Sequence, residues 1–386
     1  MVTIIGNGMG EYNFDNLDID FCQYDKILCD VNFKESRDNL LKLKYSEAQE
    51  YILENYEKEN LLYIVSGSPL FFSAGILIAN KLPKEKVKIH NNTSSKGYLA
   101  ERYFIAEDNI QSLSLHGRKH LDLSRFLSNI YTFILCDKDS IHRVQEATKY
   151  IYSKYIEVTI GYKLGYKDEV IEQIDIKNFN FEAFDLNEPY VLLIKRLFSP
   201  KNGLSEDCDF ETERGMITKK YKRQLSLQNL DLEPNHLLWD IGAGSGSCGI
   251  EAYTRYKTRT IFFEKSLQRI QNIEKNLSRY FVADCKICVG EAQEKFETLK
   301  ENPQRIFIGG GGEEVIKKLP YLYDRLETKG VMVINVITLK HLTLILDRLK
   351  DANIKYEVFS LSLTTYKGEL DMIEPERQLF QIKVVK

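Results

Sequence analysis

Short apolar runs alternate with longer amphipathic stretches along the whole chain. Apolar runs of this length, bounded by polar residues, predict buried strands. They occupy Val2–Ile5, Leu61–Val65, Thr132–Cys136 and Tyr190–Ile194 in the first half, and Leu237–Ile241, Thr260–Phe263, Arg305–Ile308, Val331–Val336 and Gln378–Val385 in the second. Helical periodicity separates them, for example at Leu267–Tyr280 and Leu339–Asp351. Strands that alternate with helices indicate βαβ units, so the sequence predicts an α/β fold with largely parallel sheets.

The alternation is interrupted at Phe198-Ser199-Pro200-Lys201-Asn202-Gly203-Leu204. Its Pro, Gly and Asn residues favour irregular backbone, so we predict a linker at residues 198–205. A chain of 386 residues is long enough for two domains, here residues 1–197 and 206–386. The two halves carry different glycine motifs, which indicates two different folds.

Composition and charge exclude several classes of protein. No stretch of about 18 consecutive apolar residues occurs, so we expect no membrane span. The N-terminal Met1–Gly6 predicts a strand and not a signal peptide, so a cytoplasmic protein is expected. A net charge of −3 argues against a nucleic-acid partner. We expect a homo-oligomer that acts on a small molecule.

The cysteines and histidines indicate neither disulfides nor a metal site. Seven cysteines, an odd number, are scattered along the chain, as is typical of buried thiols in a reducing compartment. Cys285 and Cys288 have the spacing of a metal-binding pair, but they lie in an apparent strand and no second pair completes a site. We therefore predict that they pack in the core and that the protein holds no metal.

The strongest local motif is a glycine-rich turn that follows an apolar strand, Leu238-Trp239-Asp240-Ile241-Gly242-Ala243-Gly244-Ser245-Gly246-Ser247. Glycines here let a ligand approach the backbone, and the following helix offers free N–H groups. Two nucleoside cofactors fit this pattern. Gly244-x-Gly246-x-x-Gly249 matches a dinucleotide fingerprint, which would make the protein an NAD-linked oxidoreductase. The alternative is S-adenosylmethionine.

Asp240 favours S-adenosylmethionine, because a carboxylate at the strand end repels a pyrophosphate but attracts the ligand's ammonium. Glu264 ends the next strand, where an acid accepts ribose hydroxyl hydrogens in either case. Glu291 and Ala292 follow a third strand and are candidates to frame the adenine. Four glycines, Gly309–Gly312, follow a fourth strand, at the edge where parallel sheets bind ligands.

Four phrases of the second half appear in a specific order: Gly215–Lys220, Asp240–Ser247, Ile308–Gly312 and Asn335–Leu339. Residues 205–386 thereby resemble the family of decarboxylating, precorrin-8-forming methyltransferases of cobalamin biosynthesis, which have a Rossmann-like class I methyltransferase fold. Family members often have Asp where this chain has Glu291. The resemblance implies that the cofactor is held by Thr218, Asp240, Gly242, Ala243, Gly244, Ser245, Gly246, Glu264, Glu291 and Ala292. It implies that the tetrapyrrole contacts Met216, Lys219, Gly309, Gly310, Gly311, Asn335 and Thr338.

A basic cluster precedes the glycine turn and consists of Arg214, Lys219, Lys220, Lys222 and Arg223. A tetrapyrrole carries several carboxylates, so these residues are candidates to steer or clamp it. A solvated helix face is the structural alternative.

The first half has its own set of phrases after apolar runs. They are Gly6-Asn7-Gly8-Met9-Gly10, Ser66-Gly67-Ser68-Pro69, Asn92-Thr93-Ser94-Ser95, Ser114-Leu115-His116-Gly117-Arg118 and Leu164–Glu169. Their order and spacing resemble the tetrapyrrole methylase family, of the precorrin-6Y C5-methylating type, over residues 1–197. This implies a two-lobed α/β fold with the cofactor between the lobes. It also implies a cofactor site at Gly8, Ser66, Gly67, Ser68, Thr93, Ser94 and Asp137, and substrate contacts at His116 and Arg118.

This half departs from the family at three places. Met9 replaces the usual proline, Ser68 replaces the usual acid, and Asn91-Asn92 replaces Pro-Gly. Loss of an acceptor and of a rigid residue weakens preorganisation, so an impaired domain or a substrate-binding scaffold is an alternative.

Together the halves resemble bifunctional precorrin-6Y or cobalt-precorrin C5,C15-methyltransferases (decarboxylating). The expected reaction is methylation of two ring carbons, C5 and C15, with loss of carbon dioxide from the C12 acetate. Methyl transfer from a sulfonium depends mainly on positioning and desolvation. An RNA or protein methyltransferase is the rival within the same fold, and the oxidoreductase is the rival from another class.

Overall fold

The computed structural model describes residues 1–15, 17–199, 205–367 and 372–386. Residues 200–204, most of the predicted linker, lie outside this range. The chain divides into two compact units. The first comprises residues 1–120, 125–142 and 157–196, and the second comprises residues 121–124, 143–156 and 197–386.

The first unit begins with a five-stranded, fully parallel sheet in the order β3-β2-β4-β1-β5. Its strands are β1 (Val2–Gly6), β2 (Lys26–Cys29), β3 (Leu40–Lys42), β4 (Leu61–Val65) and β5 (Val87–His90). Helices α1 (Tyr45–Asn55), α2 (Ala74–Ala79) and α3 (Ser95–Arg102) connect or follow them. Strands β1 and β4 are buried along their whole length, which explains their continuous apolar sequences.

A second sheet of the first unit has the order β6-β7-β10-β8-β9. Its strands are β6 (Ile110–Ser114), β7 (Tyr131–Leu135), β8 (Ile156–Tyr162), β9 (Val170–Ile174) and β10 (Tyr190–Arg196). Helix α4 (Ser140–Ala147) begins in the first unit and ends in the second. Strand β6 pairs with β7 in parallel, but β7 with β10 and β8 with β9 are antiparallel. The prediction of largely parallel sheets is wrong for this sheet. Strands β7 and β10 are buried over most of their length and so have the continuous apolar sequences that are typical of parallel strands, although they pair antiparallel.

The second unit contains a seven-stranded sheet in the order β13-β12-β11-β14-β15-β19-β16. Its strands are β11 (Leu237–Ile241), β12 (Arg259–Glu264), β13 (Cys285–Val289), β14 (Arg305–Ile308), β15 (Val331–Val336), β16 (Glu357–Leu361) and β19 (Leu379–Val385), and β17 (Thr364–Lys367) and β18 (Met372–Pro375) form a separate antiparallel pair. Strands β11 to β15 are parallel, and β19 runs antiparallel to β15.

Seven helices within the described residues of this unit follow or connect its strands. They are α5 (Lys220–Asn229), α6 (Ser247–Tyr256), α7 (Leu267–Arg279), α8 (Ala292–Lys295), α9 (Gly312–Lys317), α10 (Leu319–Arg325) and α11 (Leu339–Asp351). No helix in the described ranges is both long enough and apolar enough to cross a membrane. The predicted α/β fold is confirmed.

The core of the second unit surrounds Trp239, which is fully buried and stacks on Phe296 with ring centroids 5.8 Å apart. Cys288 packs in the same core, as predicted. Helix α6 lies close against β12, because a Cβ on Gly249 would lie 2.4 Å from a ring carbon of Phe262. This close packing fixes the start of α6 relative to the strand end, where the glycine-rich turn lies.

Candidate functional site

The turn between β11 and α6 has one face open. Gly242, Gly244 and Gly246 have φ values of +72°, +61° and +74°, a region that favours glycine. A Cβ on Gly242 would lie 2.7 Å from the Cα of Gly310, so the two glycine loops touch. A Cβ on Gly244 would meet nothing closer than a carbonyl oxygen at 4.0 Å. The turn therefore offers bare backbone to a ligand at Gly244.

Glu264, at the end of β12, lies beside this open face. One carboxylate oxygen accepts the Gly244 N–H at 2.9 Å, and the other accepts the N–H groups of Lys265 and Ser266 at 2.9 and 3.0 Å. A carboxylate has about four acceptor positions, so these three bonds leave capacity for a hydroxyl group. The side chain is 5% exposed and rigidly held. It suits the predicted recognition of ribose hydroxyls.

Asp240 lies beneath the turn and is 1% exposed. Its Oδ2 accepts the Gly249 N–H at 3.0 Å, and its Oδ1 has no hydrogen-bond partner within the described part of the chain. Burial, opposed by that hydrogen bond and aided by the charge of Glu264, raises the pKa of Asp240 to about 7. The orphaned oxygen gives the site an unsatisfied acceptor, although the carboxylate does not lie on the open face.

The segment that precedes α5 is anchored by Arg223, which is fully buried. Its guanidinium donates to the carbonyl oxygens of Thr218 at 2.6 Å and Ser205 at 2.8 Å, and it pairs with Glu251 and Asp207. Arg223 therefore fits neither interpretation of the basic cluster, a clamp on the tetrapyrrole or a solvated helix face, because its guanidinium is fully buried in the protein interior. Its role is to hold Thr218 in place.

The other basic residues of that cluster have diverse surroundings. Lys222 is buried, bridges to Glu376 at 2.9 Å and donates to the Arg377 carbonyl, so it too is no substrate contact. Lys219 pairs with Asp207 at 3.5 Å, and Lys220 pairs with Glu206. Arg214 and Lys219 are exposed, so they keep the surface position that the prediction requires.

A second anchor of this segment is Asn276 on α7, which is not among the residues predicted from the sequence. Its Nδ2 donates to the Ser245 carbonyl at 2.9 Å and the Glu211 carbonyl at 3.0 Å, and its Oδ1 accepts the Glu211 N–H at 2.8 Å. One side chain thus ties the glycine turn to the segment that carries Met216 and Thr218. An asparagine on the apolar face of an amphipathic helix is the sequence signal for such a role.

The predicted adenine-framing residues lie at the end of β13. Glu291 caps α8 and forms an ion pair with Lys265 at 3.0 Å, and this hydrogen bond lowers its pKa. Ala292 is buried beside it. The ion pair joins the ends of β12 and β13, so both residues lie at the same edge of the sheet as Glu264.

The Gly309–Gly312 loop lies at that edge too, and the Gly309 N–H donates to the Ile241 carbonyl at 3.0 Å. Between this loop, the end of β15 and α11 is a cleft of about 50 Å³ to which Asn335 contributes. Thr338 is exposed and caps α11, since its hydroxyl accepts the His341 N–H. The structure therefore brings the predicted substrate residues Gly310 and Asn335 together at one cleft.

In the first unit, the predicted loops meet at the carboxyl ends of β1, β4 and β5. Gly8 and Gly67 exchange backbone hydrogen bonds of 3.0 and 3.1 Å. The Ser68 hydroxyl donates to the Asn91 Oδ1 at 2.6 Å. A cavity of about 760 Å³ lies beside them, and its lining includes the predicted residues Ser68, Thr93 and Ser94. These predicted residues are thus brought together.

Asp137 follows β7 in the second sheet of the first unit. Its carboxylate accepts the Gly117 N–H at 3.2 Å and the Ser140 hydroxyl at 2.8 Å, so it orders the turn between His116 and Arg118. Both of those side chains are exposed. The described lining of the 760 Å³ cavity includes none of these three residues.

Comparison with known proteins places this geometry in a family. The family described as "Precorrin methyltransferase domain" matches residues 209–386. A protein of Sinorhizobium sp. named precorrin-6Y C(5,15)-methyltransferase [decarboxylating] is 29% identical over 295 residues, which cover 74% of this chain and 70% of the relative. A protein of Pyrobaculum aerophilum named as a probable cobalt-precorrin-6B C(15)-methyltransferase (decarboxylating) is 31% identical over 160 residues, 40% of this chain and 81% of the relative.

Among solved structures, the precorrin-6Y C5,15-methyltransferase of Geobacter metallireducens GS-15 matches with a TM-score of 0.45 and 32% identity, over 47% of this chain and 96% of that chain. The match to the Pyrobaculum protein extends over most of that relative at more than 30% identity. Through its second unit, the chain belongs to the precorrin methyltransferase family.

Proposed function

We propose that this protein is an S-adenosylmethionine-dependent methyltransferase that methylates and decarboxylates a precorrin-type tetrapyrrole in cobalamin biosynthesis. The observation that carries the proposal is the open turn at Gly244 beside the Glu264 carboxylate, next to the Gly309–Gly312 loop. This arrangement lies within the residues that match the precorrin methyltransferase family. The names of the two curated relatives give the substrate class.

The residues present fit S-adenosylmethionine. The glycine turn leaves space where a side chain would otherwise stand, Glu264 has acceptor capacity for ribose hydroxyls, and the orphaned Asp240 oxygen places negative potential beneath the turn. When bound, the cofactor supplies an activated methyl group. The chain's own task is then to position the ring carbon and exclude water. We propose Thr218 and Ala292 as further cofactor contacts.

The proposed substrate side of the second unit consists of the Gly309–Gly312 loop, Asn335 and Thr338, together with Met216 and Lys219 on the segment that leads into α5. Met216 is exposed, and its sulfur lies 3.6 Å from a guanidinium nitrogen of Arg269. Exposed apolar and basic side chains suit a flat ring that carries carboxylates. These assignments support methylation of C15 with loss of the C12 carboxylate in this unit.

For the first unit we propose methylation at C5. Residues 197–386 make up about half of the chain, so a match to the Sinorhizobium protein over 74% of it necessarily includes part of the first unit. The convergence of Gly8, Gly67, Ser68 and Thr93 beside a large cavity supports a ligand site. A substrate-binding scaffold is the alternative, because Ser68 and Asn91 supply neutral groups where the tetrapyrrole methylases have an acid and a proline.

Two glycine variants test these assignments as a matched pair. Gly244 and Gly67 both have positive φ, and a Cβ on either would meet no atom closer than 4.0 Å. Asp tolerates this backbone region better than most residues, so Gly244→Asp and Gly67→Asp are expected to fold. Each places a side chain where we propose that a cofactor binds in its own unit.

The measurement is the mass of the product formed from precorrin-6B, or its cobalt form, with isotopically labelled S-adenosylmethionine. We expect the wild type to add two methyl groups and release carbon dioxide, Gly244→Asp to lose the C15 methyl, and Gly67→Asp to lose the C5 methyl. A wild type that adds only one methyl group, unaffected by Gly67→Asp, would assign the scaffold role to the first unit. A wild type that binds neither S-adenosylmethionine nor its demethylated product would refute the proposed function.

A further inference from the structure

The cleft beside the Gly309–Gly312 loop has an unusual lining. Its walls are mainly aliphatic, with Ile308, Val315, Ile334 and Ile345 among them. Asn335 and His341 also contribute to the described lining. A volume of about 50 Å³ is several times the roughly 10–15 Å³ that a cavity needs to hold one water molecule, but it is far too small for a tetrapyrrole. The cleft therefore suits a single small substituent.

The carboxamide of Asn335 is held in one orientation. Its Nδ2 donates to the Ser226 hydroxyl at 2.8 Å, and its Oδ1 accepts from the Nε2 of Gln381 at 2.8 Å. Gln381 is fully buried and stands opposite Asn335 in the pairing of β15 with β19. Ser226 lies on α5, whereas the neighbouring residues Ile334 and Val336 line the cleft, so the carboxamide stands on the opposite face of the sheet and fixes the end of β15 that forms one wall.

His341 reaches the same cleft from the first turn of α11. It is half-buried, and its backbone is fixed by the Thr338 cap. The acidic group that interacts with it electrostatically is Glu313, which is paired with Lys340 at 2.6 Å. Among the described residues that line the cleft, His341 carries the one ionisable side chain.

We propose that this cleft receives the acetate side chain that the substrate loses as carbon dioxide, and that His341 donates the proton that replaces the lost carboxylate. The inference rests on the proposed function, since it concerns the decarboxylation that the second unit performs. Aliphatic walls favour this step, because they strip water from a carboxylate whose charge disperses as carbon dioxide forms.

The step is balanced without any further reagent. The bond between the methylene carbon and the carboxylate carbon breaks, carbon dioxide leaves, and the electron pair passes into the conjugated ring. The pair then returns to the methylene carbon and forms a C–H bond with the proton of the His341 imidazolium. A methyl group results, and the neutral imidazole takes up a proton from solvent.

His341→Gln in the full-length protein tests the inference, because glutamine keeps a polar side chain of similar reach but cannot donate a proton as an acid. His236→Gln is the matched control. His236 precedes β11, at the opposite edge of the sheet. Carbon dioxide release, methyl transfer and binding of S-adenosylhomocysteine are measured separately on each variant.

We expect carbon dioxide release to fall by about 10²-fold or more in His341→Gln, the usual effect of losing a general acid, while S-adenosylhomocysteine binds as in the wild type. His236→Gln should match the wild type in all three measurements. Unchanged carbon dioxide release in His341→Gln, or a parallel loss of cofactor binding, would overturn the inference. A wild type that releases no carbon dioxide would instead refute the proposed function itself, and this outcome is distinguishable because it does not depend on the substitution at His341.

Discussion

A buried polar side chain stands at the end of the first strand of the parallel sheet in each unit. In the second unit it is Asp240, and in the first unit it is Asn7, directly after β1; each is 1% exposed. Each binds one backbone group: Asp240 accepts the Gly249 N–H, and the Asn7 Nδ2 donates to the Glu11 carbonyl at 2.8 Å. Each also has a side-chain oxygen without a partner among the described residues. The same local architecture therefore carries a titratable group in one unit and a neutral one in the other.

The contrast continues in the loops around these residues. In the second unit the buried groups that organise the turn are ionisable, namely Asp240, Glu264 and the pair formed by Arg223 and Glu251. In the first unit the corresponding contacts are neutral, namely the Ser68–Asn91 hydrogen bond and the Gly8–Gly67 backbone pair. Loss of one partner of a buried charge pair lowers the free energy of unfolding strongly, whereas a neutral hydrogen bond contributes only modestly to it. Substitutions in the second unit should consequently have larger effects.

The largest effect is expected for Arg223→Met. This change leaves the fully buried Glu251 carboxylate without its partner and releases the carbonyl groups of Ser205 and Thr218. Removing one member of a buried ion pair costs about 3–5 kcal/mol, and we expect the upper end here. Trp239 is the only tryptophan and is buried in the second unit, so its fluorescence reports unfolding there.

Lys195→Met in the first unit is the matched control. Lys195 forms an exposed pair with Glu157 at 3.5 Å, and such surface pairs contribute little. The Trp239 transition of Lys195→Met should therefore coincide with that of the wild type. If Arg223→Met lowers the unfolding free energy by less than about 1 kcal/mol, the value typical of a surface pair, its anchoring role is wrong.

The stability of the second unit should depend on pH through Asp240. Asn7, at the corresponding position of the first unit, does not titrate and gives no such dependence. Burial raises the pKa of Asp240 from its ordinary value to about 7, so the folded state binds its proton more tightly than the unfolded state. The associated stability is fully present below the unfolded pKa of about 4 and is lost as the pH rises through 7. The loss amounts to at most about 4 kcal/mol for a shift of about three pKa units.

Asp240→Asn keeps the shape and the acceptor for the Gly249 N–H but does not ionise. We expect the variant and the wild type to have similar Trp239 unfolding midpoints near pH 4, and the variant to be more stable at pH 8. Parallel pH profiles for the two proteins would show that Asp240 ionises without penalty and would remove this difference between the units. S-adenosylmethionine binding measured on the same samples reports whether the negative charge attracts the ligand.

The glycine turn of the second unit was predictable because its determinants are local. A buried strand followed by alternating glycines specifies both the strand end at Ile241 and the positive φ values that follow. The sequence also places both glycine loops at the same edge of the sheet. It does not predict that Gly242 and Gly310 touch, because these two residues are far apart in the chain.

Arg223 and Gln381 could not be assigned from the sequence for the opposite reason. Arg223 stands in a run of basic residues, which is typical of a solvated surface, and its burial depends on Glu251 on another helix. Gln381 acquires its role only from the antiparallel register that sets it opposite Asn335. Polar residues whose partners lie on other elements carry no periodic signal, so the sequence places Arg223 among surface residues and gives no sign of the role of Gln381.

The smallest effect is expected for Ser68→Ala, which tests whether the first unit depends on neutral contacts. The Ser68 hydroxyl donates to Asn91 and accepts the Leu70 N–H at 3.1 Å, so alanine removes two uncharged hydrogen bonds. Such bonds contribute about 1 kcal/mol each, and Asn91 is exposed enough for water to replace its lost partner. We therefore expect faster hydrogen exchange at the Leu70 amide by about tenfold and no shift of the Trp239 unfolding transition.

Ser68→Asp tests the same loop of the first unit for cofactor binding, because it introduces a carboxylate of the kind that organises the glycine turn of the second unit. If cofactor binding by the first unit then strengthens while Ser68→Ala leaves it unchanged, the missing acid accounts for the difference between the units; if neither variant alters binding, the contrast at Ser68 has no functional meaning.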